Sequence, residues 1–467
     1  VTADPTLQKL VSEALRHHRN GQMIEAEEIY RRVLARDPDH ADALHLLGMV
    51  AYQTGRIPLA LELIRKAIAV HPSAASYHSN LGNVLQAQDD LEEAAASYRR
   101  ALALKPGLPE VHVNLGNVLQ ALGDVNSALR EFRRALALKA DLPEARVAEA
   151  MALLLQGDFA AGWEDFEARW QTRDYDTPMR AYPQPLWDGQ SLASGRLLVW
   201  GEQGVGDEIM FAGLVPDVVR AGNSLVLECD RRLVPLFERS FPNVSVVSSY
   251  DPERDRELQV AAHLPSGSLP RIFRANHNAF AATTSPYLAA DPAERERFRD
   301  GYAGGKPAVG LAWHTRSEKK GRRRSMDLSF FAPLFEIPGL RWVSLQYGDP
   351  ALLESQVRTA GAPVLIDRSV DQFADIDRFA AQVAAMDLVI TIDNSAAHLA
   401  AALGVPTWLL LPFAPNWRWQ LGTSVSPWYP TMRIFRQSNF GGWDSVVHDV
   451  RAALLSEKPF SRPQDRM

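Results

Sequence analysis

Asn80-Leu-Gly-Asn-Val-Leu-Gln-Ala87 returns letter for letter as Asn114-Leu-Gly-Asn-Val-Leu-Gln-Ala121, 34 residues later. Reading outward at that period, Pro38, Pro72 and Pro106 share one phase, and the next step lands on Ala140. Leu47-Gly48, Leu81-Gly82 and Leu115-Gly116 share a second. Ala26, Ala60, Ala94 and Ala128 share a third, followed by Tyr30, Ile64, Tyr98 and Phe132, then by Val33, Ala67, Ala101 and Ala135. A period of this length marks stacked supersecondary units that bury a continuous core only together. Small residues let two helices approach, the large one fills the space between them, and proline ends the second helix.

This small-large-small pattern resembles the tetratricopeptide helix pair. Four repeats run from about Leu7 to Ala140, and a degenerate fifth, Pro143 to Trp170, carries Gly157, Phe159, Trp163 and Phe166 as a cap. The resemblance implies a concave face that binds an extended peptide of an acceptor protein. Asn80 and Asn114 take the same helix position in consecutive repeats, with Asn83 and Asn117 one turn later. An amide offers a donor and an acceptor together, so a ladder of amides suits a peptide backbone of any sequence. The alternative is a duplicated run of solvated residues, since the same position holds Leu46 in the second repeat and Ala148 in the fifth.

Composition bounds the remainder. The 467 residues correspond to about three compact units. Hydrophobic residues make up 46% and charged residues 23%, which is ordinary globular usage and excludes a disordered or fibrous chain. Fifty Lys and Arg against 56 Asp and Glu leave a net charge of −6, so nucleic acid is not an expected partner. Cys229 stands alone, which excludes an internal disulfide and a thiolate-built metal site and suits a reducing compartment. No apolar run approaches the roughly 20 residues of a membrane span, and Val1 to Glu13 lacks a signal pattern, so a cytoplasmic location is expected.

After the Pro-rich stretch Tyr182-Pro-Gln-Pro-Leu-Trp187, short apolar runs alternate with amphipathic stretches. Leu197 to Trp200, Leu225 to Glu228 and Val244 to Val247 read as buried parallel strands. A second set comprises Val309 to Trp313, Trp342 to Gln346, Val364 to Ile366, Leu388 to Ile392 and Thr407 to Leu411. The expected fold is therefore α + α/β: a helical solenoid over residues 1–175, then two Rossmann-like domains over 176–290 and 291–467. Ligands belong in the cleft beyond the carboxyl ends of the strands.

Three loops carry a chemical signal. Gly201-Glu-Gln-Gly204-Val-Gly206-Asp207-Glu208 joins a strand to a helix whose N-terminus favours an anion. Glu228 stands where a dinucleotide fold places its ribose acid, yet the order is G-x-x-G-x-G, not G-x-G-x-x-G. Ile392-Asp393-Asn394-Ser395-Ala396-Ala397-His398 again turns from strand into helix, with small residues that leave amides open to phosphate and His398 as a further donor. Asn394 or Ser395 reads equally as an ordinary N-cap, and His398 as a core histidine. Trp313-His314-Thr315-Arg316 leads into Lys319, Lys320, Arg322, Arg323 and Arg324, a local positive field suited to phosphates.

The strings LLVWGEQGVGDEIMF, VGLAWHTRSEKKGRRRSMDL, WVSLQYGD, DLVITIDNSAAHLAAALGVPTWLLLPFAPNWRW and SPWYPTMRIFRQ resemble bacterial tetratricopeptide-glycosyltransferase proteins whose catalytic half is similar to the heptosyltransferases of lipopolysaccharide synthesis. The architecture also resembles O-linked N-acetylglucosamine transferase. The resemblance implies a GT-B pair of Rossmann-like domains, a general base at Asp207, with Glu208 as the neighbouring alternative, and a phosphate-binding helix start over Asp393 to His398. It also implies a basic phosphate contact within Thr315 to Arg324. The family commonly has Asp-Thr where this chain has Asp393-Asn394.

The expected donor-binding set is then Gly204, Gly206, His314, Arg324, Gln346, Asp393, Asn394, Ser395, Ala396 and His398, with a nucleotide sugar as co-substrate and no cofactor or metal. Asn416-Trp417-Arg418-Trp419 reads either as a sugar contact or as interdomain packing. Asp375-Ile-Asp377 spells a metal-site D-x-D, but in a helix its side chains diverge, so it reads as surface charge. Two functions compete. One is an inverting, metal-independent protein O-glycosyltransferase whose repeats dock the acceptor, flagellin among the candidates. The other is a repeat scaffold with an inert GT-B fold. A heptose, a hexose and a CMP-linked nonulosonic acid all remain open as donor.

Overall fold

The computed structural model describes residues 5–173, 175–315, 321 and 323–457. It divides into two compact units, one ending at Ala152 and one beginning at Leu153. Among the described residues no helix is long and apolar enough to cross a membrane.

The first unit is built from antiparallel helix pairs: α1 (Pro5–Arg19) with α2 (Met23–Arg36), α3 (Ala41–Gln53) with α4 (Ile57–Val70), α5 (Ala75–Ala87) with α6 (Leu91–Leu104), and α7 (Pro109–Ala121) with α8 (Val125–Leu138). The glycine phase is dictated by packing. A Cβ on Gly82 would lie 2.6 Å from the Tyr98 ring, and one on Gly116 2.4 Å from the Phe132 ring. The tight turn inside each pair also keeps the period, with a left-handed residue at Gly21, Gly55, Asp89 and Gly123. Glycine adopts that conformation without a Cβ penalty, and Asp is one of the few side chains that tolerates it.

The asparagines expected on a solvated groove are bonded to one another. The Asn80 amide meets His45 Nε2 at 2.8 Å, Asn83 donates to Asn80 Oδ1 at 3.3 Å, and Asn114 donates to Asn83 Oδ1 at 3.1 Å. The series runs across α3, α5 and α7 and ties three repeats together; Asn117 alone of the four is exposed. His45 is buried and stacked on Tyr77 at 4.4 Å, and burial pushes its pKa down to about 4, so the neutral ring accepts this bond. Replacing Asn80 and Asn114 together by Ala is therefore expected to lower the stability of this unit by about 1–3 kcal/mol, at roughly 0.5–1.5 kcal/mol per hydrogen bond. Far-UV circular dichroism melting reads that loss. All 11 tryptophans lie between Trp163 and Trp443, so the tryptophan-fluorescence transition should stay in place.

The second unit holds two parallel sheets. The first comprises β1 (Arg196–Trp200), β2 (Leu225–Glu228), β3 (Ser245–Val247) and β4 (Val260–Pro265), in the order β3-β2-β1-β4. The second comprises β5 (Ala308–Ala312), β6 (Arg341–Ser344), β7 (Val364–Leu365), β8 (Leu388–Ile392), β9 (Thr407–Leu411) and β10 (Met432–Arg436), in the order β10-β9-β8-β5-β6-β7. Every residue of β2, β5, β8 and β9 is buried, as expected of parallel strands covered on both faces. Counted within its own sheet, each follows the doubly wound order 3-2-1-4, the second extending to 5-6, which puts the crevice between strands 1 and 4. Two strands escape the sequence reading. β4 contains His263 and ends on proline, and the edge strand β10, Met-Arg-Ile-Phe-Arg, alternates instead of running apolar.

The division at 152/153 falls earlier than the expected boundary at 175. The second helix of the degenerate repeat, Phe159–Phe166, is core of the second unit. Trp163 packs edge-on against Trp417 at 5.3 Å and donates its indole N–H to the Arg274 carbonyl at 3.1 Å. Trp417 and Trp419 are 5% and 0% exposed, so these tryptophans are packing residues and not a sugar platform.

Candidate functional site

The glycine loop is held from behind. Glu202 follows β1, turns inward and is bound by two nitrogens of Arg169 at 2.9 and 3.0 Å and by the Gly267 N–H at 2.6 Å. Arg169 is 0% exposed, lies 4.4 Å from the centre of the Trp170 ring, and also reaches Glu167 and Ser268, both at 2.8 Å. Gln203 then takes a left-handed backbone (φ 67°) and passes the chain to Gly204, which starts the helix Val205–Ala212 without a side-chain cap. A Cβ on Gly204 would meet nothing within 4 Å, whereas one on Gly206 would lie 3.3 Å from His398 Cδ2. Gly206 is thus where the two sheets' helices touch, and Gly204 opens onto free space.

Asp207 and Glu208 diverge from the first turn of that helix. Glu208 folds beneath Gly201, where a Cβ would sit 2.6 Å from its carboxyl carbon, and accepts the Asp230 N–H at 2.8 Å. Burial, opposed by that bond and reinforced by Asp230 and Glu228, pushes its pKa up to about 7. Asp207 points the other way and pairs with Arg418 from the β9–β10 connection; their side chains are 19% and 11% exposed. Glu228 is engaged by Arg180 and Tyr182, which removes it as a ribose-binding acid.

On the second sheet, His314 leaves the end of β5 with an exposed side chain. Gln346 does not face a ligand. Its Oε1 accepts the Trp313 and His314 N–H groups at 3.0 and 2.8 Å, and its Nε2 donates to the His314 and Tyr347 carbonyls at 3.1 and 3.0 Å. It braces the loop that carries His314. Arg324 pairs with Asp393 at 2.9 Å, and Arg323 lies 5.4 Å from the centre of the Phe440 ring. Arg316, Lys319, Lys320 and Arg322 lie outside the described residues.

The helix start at Ser395 departs from the phosphate-binding expectation. Asn394 Oδ1 accepts the Ala396 and Ala397 N–H groups at 3.0 and 3.3 Å, so the residue is an N-cap that occupies two of the amides expected to meet phosphate. Its Nδ2 is buried and has no partner. His398 is 4% exposed, stacked on Trp419 at 5.1 Å and hydrogen-bonded through Nδ1 to Tyr429 Oη at 2.8 Å. Burial first, and Arg418 second, push its pKa down to about 4. The ring is neutral at pH 7 and orients the helix by packing. The other charges that act on it are Asp393, Asp207 and Arg324. The carboxylates of the D-x-D are committed elsewhere: Asp375 caps the helix Ile376–Ala384 through the Arg378 N–H, and Asp377 pairs with Arg239.

The structure thus gathers Gly206, Asp207, Asp393, Ser395, His398 and Arg324 at the carboxyl ends of the two sheets, and turns Gln346 and the Asn394 oxygen to scaffolding. The sequence reading missed Arg418 as Asp207's partner, Tyr429 as the histidine's, and the Arg169–Glu202 pair. A cation between two tryptophans was the one visible signal among these.

Residues 12–69, 47–109 and 85–154 match the tetratricopeptide repeat family, so the N-terminal part carries such repeats. Over 333 residues the chain is 34% identical to Protein FlbA of Caulobacter vibrioides, a match that takes in 66% of this chain and 54% of that protein. The chain therefore spans about half the length of this curated relative. Among solved structures it is similar to MamA (21% identity, 33% of this chain and 91% of that one, TM-score 0.32). It is also similar to pilF of Pseudomonas aeruginosa (26% identity, 35% and 74%, TM-score 0.33).

Proposed function

We propose that this protein is a nucleotide-sugar-dependent glycosyltransferase of GT-B architecture, cytoplasmic, that moves a sugar onto a hydroxyl of an acceptor protein docked by its repeats. The observation that carries the reading is the convergence of a carboxylate, Asp207, with cations from the opposite sheet where two doubly wound sheets face each other. In a single displacement Asp207 takes the proton of the acceptor hydroxyl as its oxygen bonds to the anomeric carbon. The bond from that carbon to the phosphate oxygen breaks, and its electron pair leaves on the nucleotide. Inversion follows from attack opposite the leaving group. Arg324 and the uncapped amides at the start of the helix Val205–Ala212 stabilise the departing phosphate, and no step needs a metal ion. Flagellin is the acceptor suggested by the resemblance to repeat-containing transferases that modify it.

The test is titration of the full chain with ADP-, UDP-, GDP- and CMP-sugars, followed by donor hydrolysis. One nucleotide class is expected to bind and turn over slowly without acceptor. Absence of binding across the panel would return the chain to a repeat scaffold with an inert second unit.

A further inference from the structure

The four charges around His398 sum to zero, because Asp207 is paired with Arg418 and Asp393 with Arg324. Among the described residues the two cations of this balanced cluster each hold a carboxylate, so an incoming phosphate that takes one of them displaces its partner. Arg418 is built for such an exchange. Its plane is fixed over Trp417, with Cζ 4.5 Å from the ring centre, and Nη1 is anchored on Asn416 at 2.7 Å. Nη2 holds Asp207, while Nε is buried with no acceptor. With Nη1 and Nη2 engaged and Nε unpartnered, the guanidinium keeps one nitrogen in reserve for a second anion. Asp207 sits in the first turn of a helix with no side-chain cap, beside the open space over Gly204.

We propose that Arg418 is a positioning residue which holds Asp207 until the donor binds and then passes to the nucleotide phosphate, freeing the carboxylate to act as base. The inference rests on the transferase reading and adds an order to it: donor before acceptor proton transfer. Arg418 holds Oδ1 of Asp207, so transfer of the guanidinium to phosphate leaves both carboxylate oxygens to the acceptor hydroxyl. Binding and base release are then linked reciprocally.

Calorimetric titration of the full chain with ADP, UDP, GDP and CMP tests this. For the nucleotide that binds, Asp207→Asn, which removes the competing charge, should tighten affinity by about three- to tenfold. Arg418→Gln should weaken it by about tenfold or more, and Arg418→Lys should restore part of that loss. In the double variant the gain from Asp207→Asn should vanish, a non-additivity that general loosening of the fold does not produce. Equal or weaker binding by Asp207→Asn, with the wild type binding normally, overturns the exchange and leaves the transferase reading intact. Failure of every nucleotide to bind the wild type overturns both.

Discussion

Asp207→Asn is expected to cut sugar transfer by about 10²-fold or more under saturating donor, because general-base catalysis typically contributes 10²- to 10⁴-fold. The substitution keeps the shape of the side chain and its reach to Arg418 and removes its basicity. Initial rates on the acceptor protein are the measurement. Glu208→Gln is the discriminating comparison. Glu208 lies under Gly201 and is bound to the Asp230 N–H, away from Arg418, so its loss should leave transfer within a few-fold. It carries a different signature. A carboxyl raised from 4.5 to about 7 contributes stability in its neutral form that is complete below pH 4.5 and is lost as pH rises through 7. The Gln variant has no such loss, so its stability relative to wild type should rise across that window. A collapse of transfer in Glu208→Gln with full transfer in Asp207→Asn would reverse the assignment of the base.

Arg169→Met is expected to destabilise the second unit by about 3–5 kcal/mol, the range for removing one partner of a buried ion pair. Glu202 would be left with its charge buried and only the Gly267 N–H and Tyr175 to answer it. Arg169 is fully buried and also stacks on Trp170, so its apolar stem contributes as well. Denaturant unfolding followed by tryptophan emission isolates this unit, since the first 152 residues contain no tryptophan. Adding Glu202→Leu should recover much of the loss, because the buried charge then disappears with its partner. A shift below about 1 kcal/mol for Arg169→Met would mean that water reaches Glu202 and that the loop is not anchored from behind.

How much of this was legible beforehand follows from the range of each interaction. The 34-residue period is local: each glycine meets the large side chain 16 residues on, Gly48 on Ile64, Gly82 on Tyr98 and Gly116 on Phe132, so repetition in the chain forces repetition in space. The apolar runs of β1, β2, β5, β8 and β9 announce a parallel sheet for the same reason, and the loops after them mark where a ligand belongs. What those loops hold was decided by residues distant in the chain. Asp207 and Arg418 are 211 positions apart, and Arg169 and Ser268 are 99 apart. The local pattern also contained alternatives that only packing resolved. Asn394 reads equally as a cap or a phosphate contact until its oxygen meets two amides of its own helix, and Gln346, expected to contact the donor, is instead a brace on whose amide four backbone groups converge. Periodicity records which face of an element is buried, but a polar side chain's partner depends on where another element ends. That is set by the tertiary packing of the whole second unit.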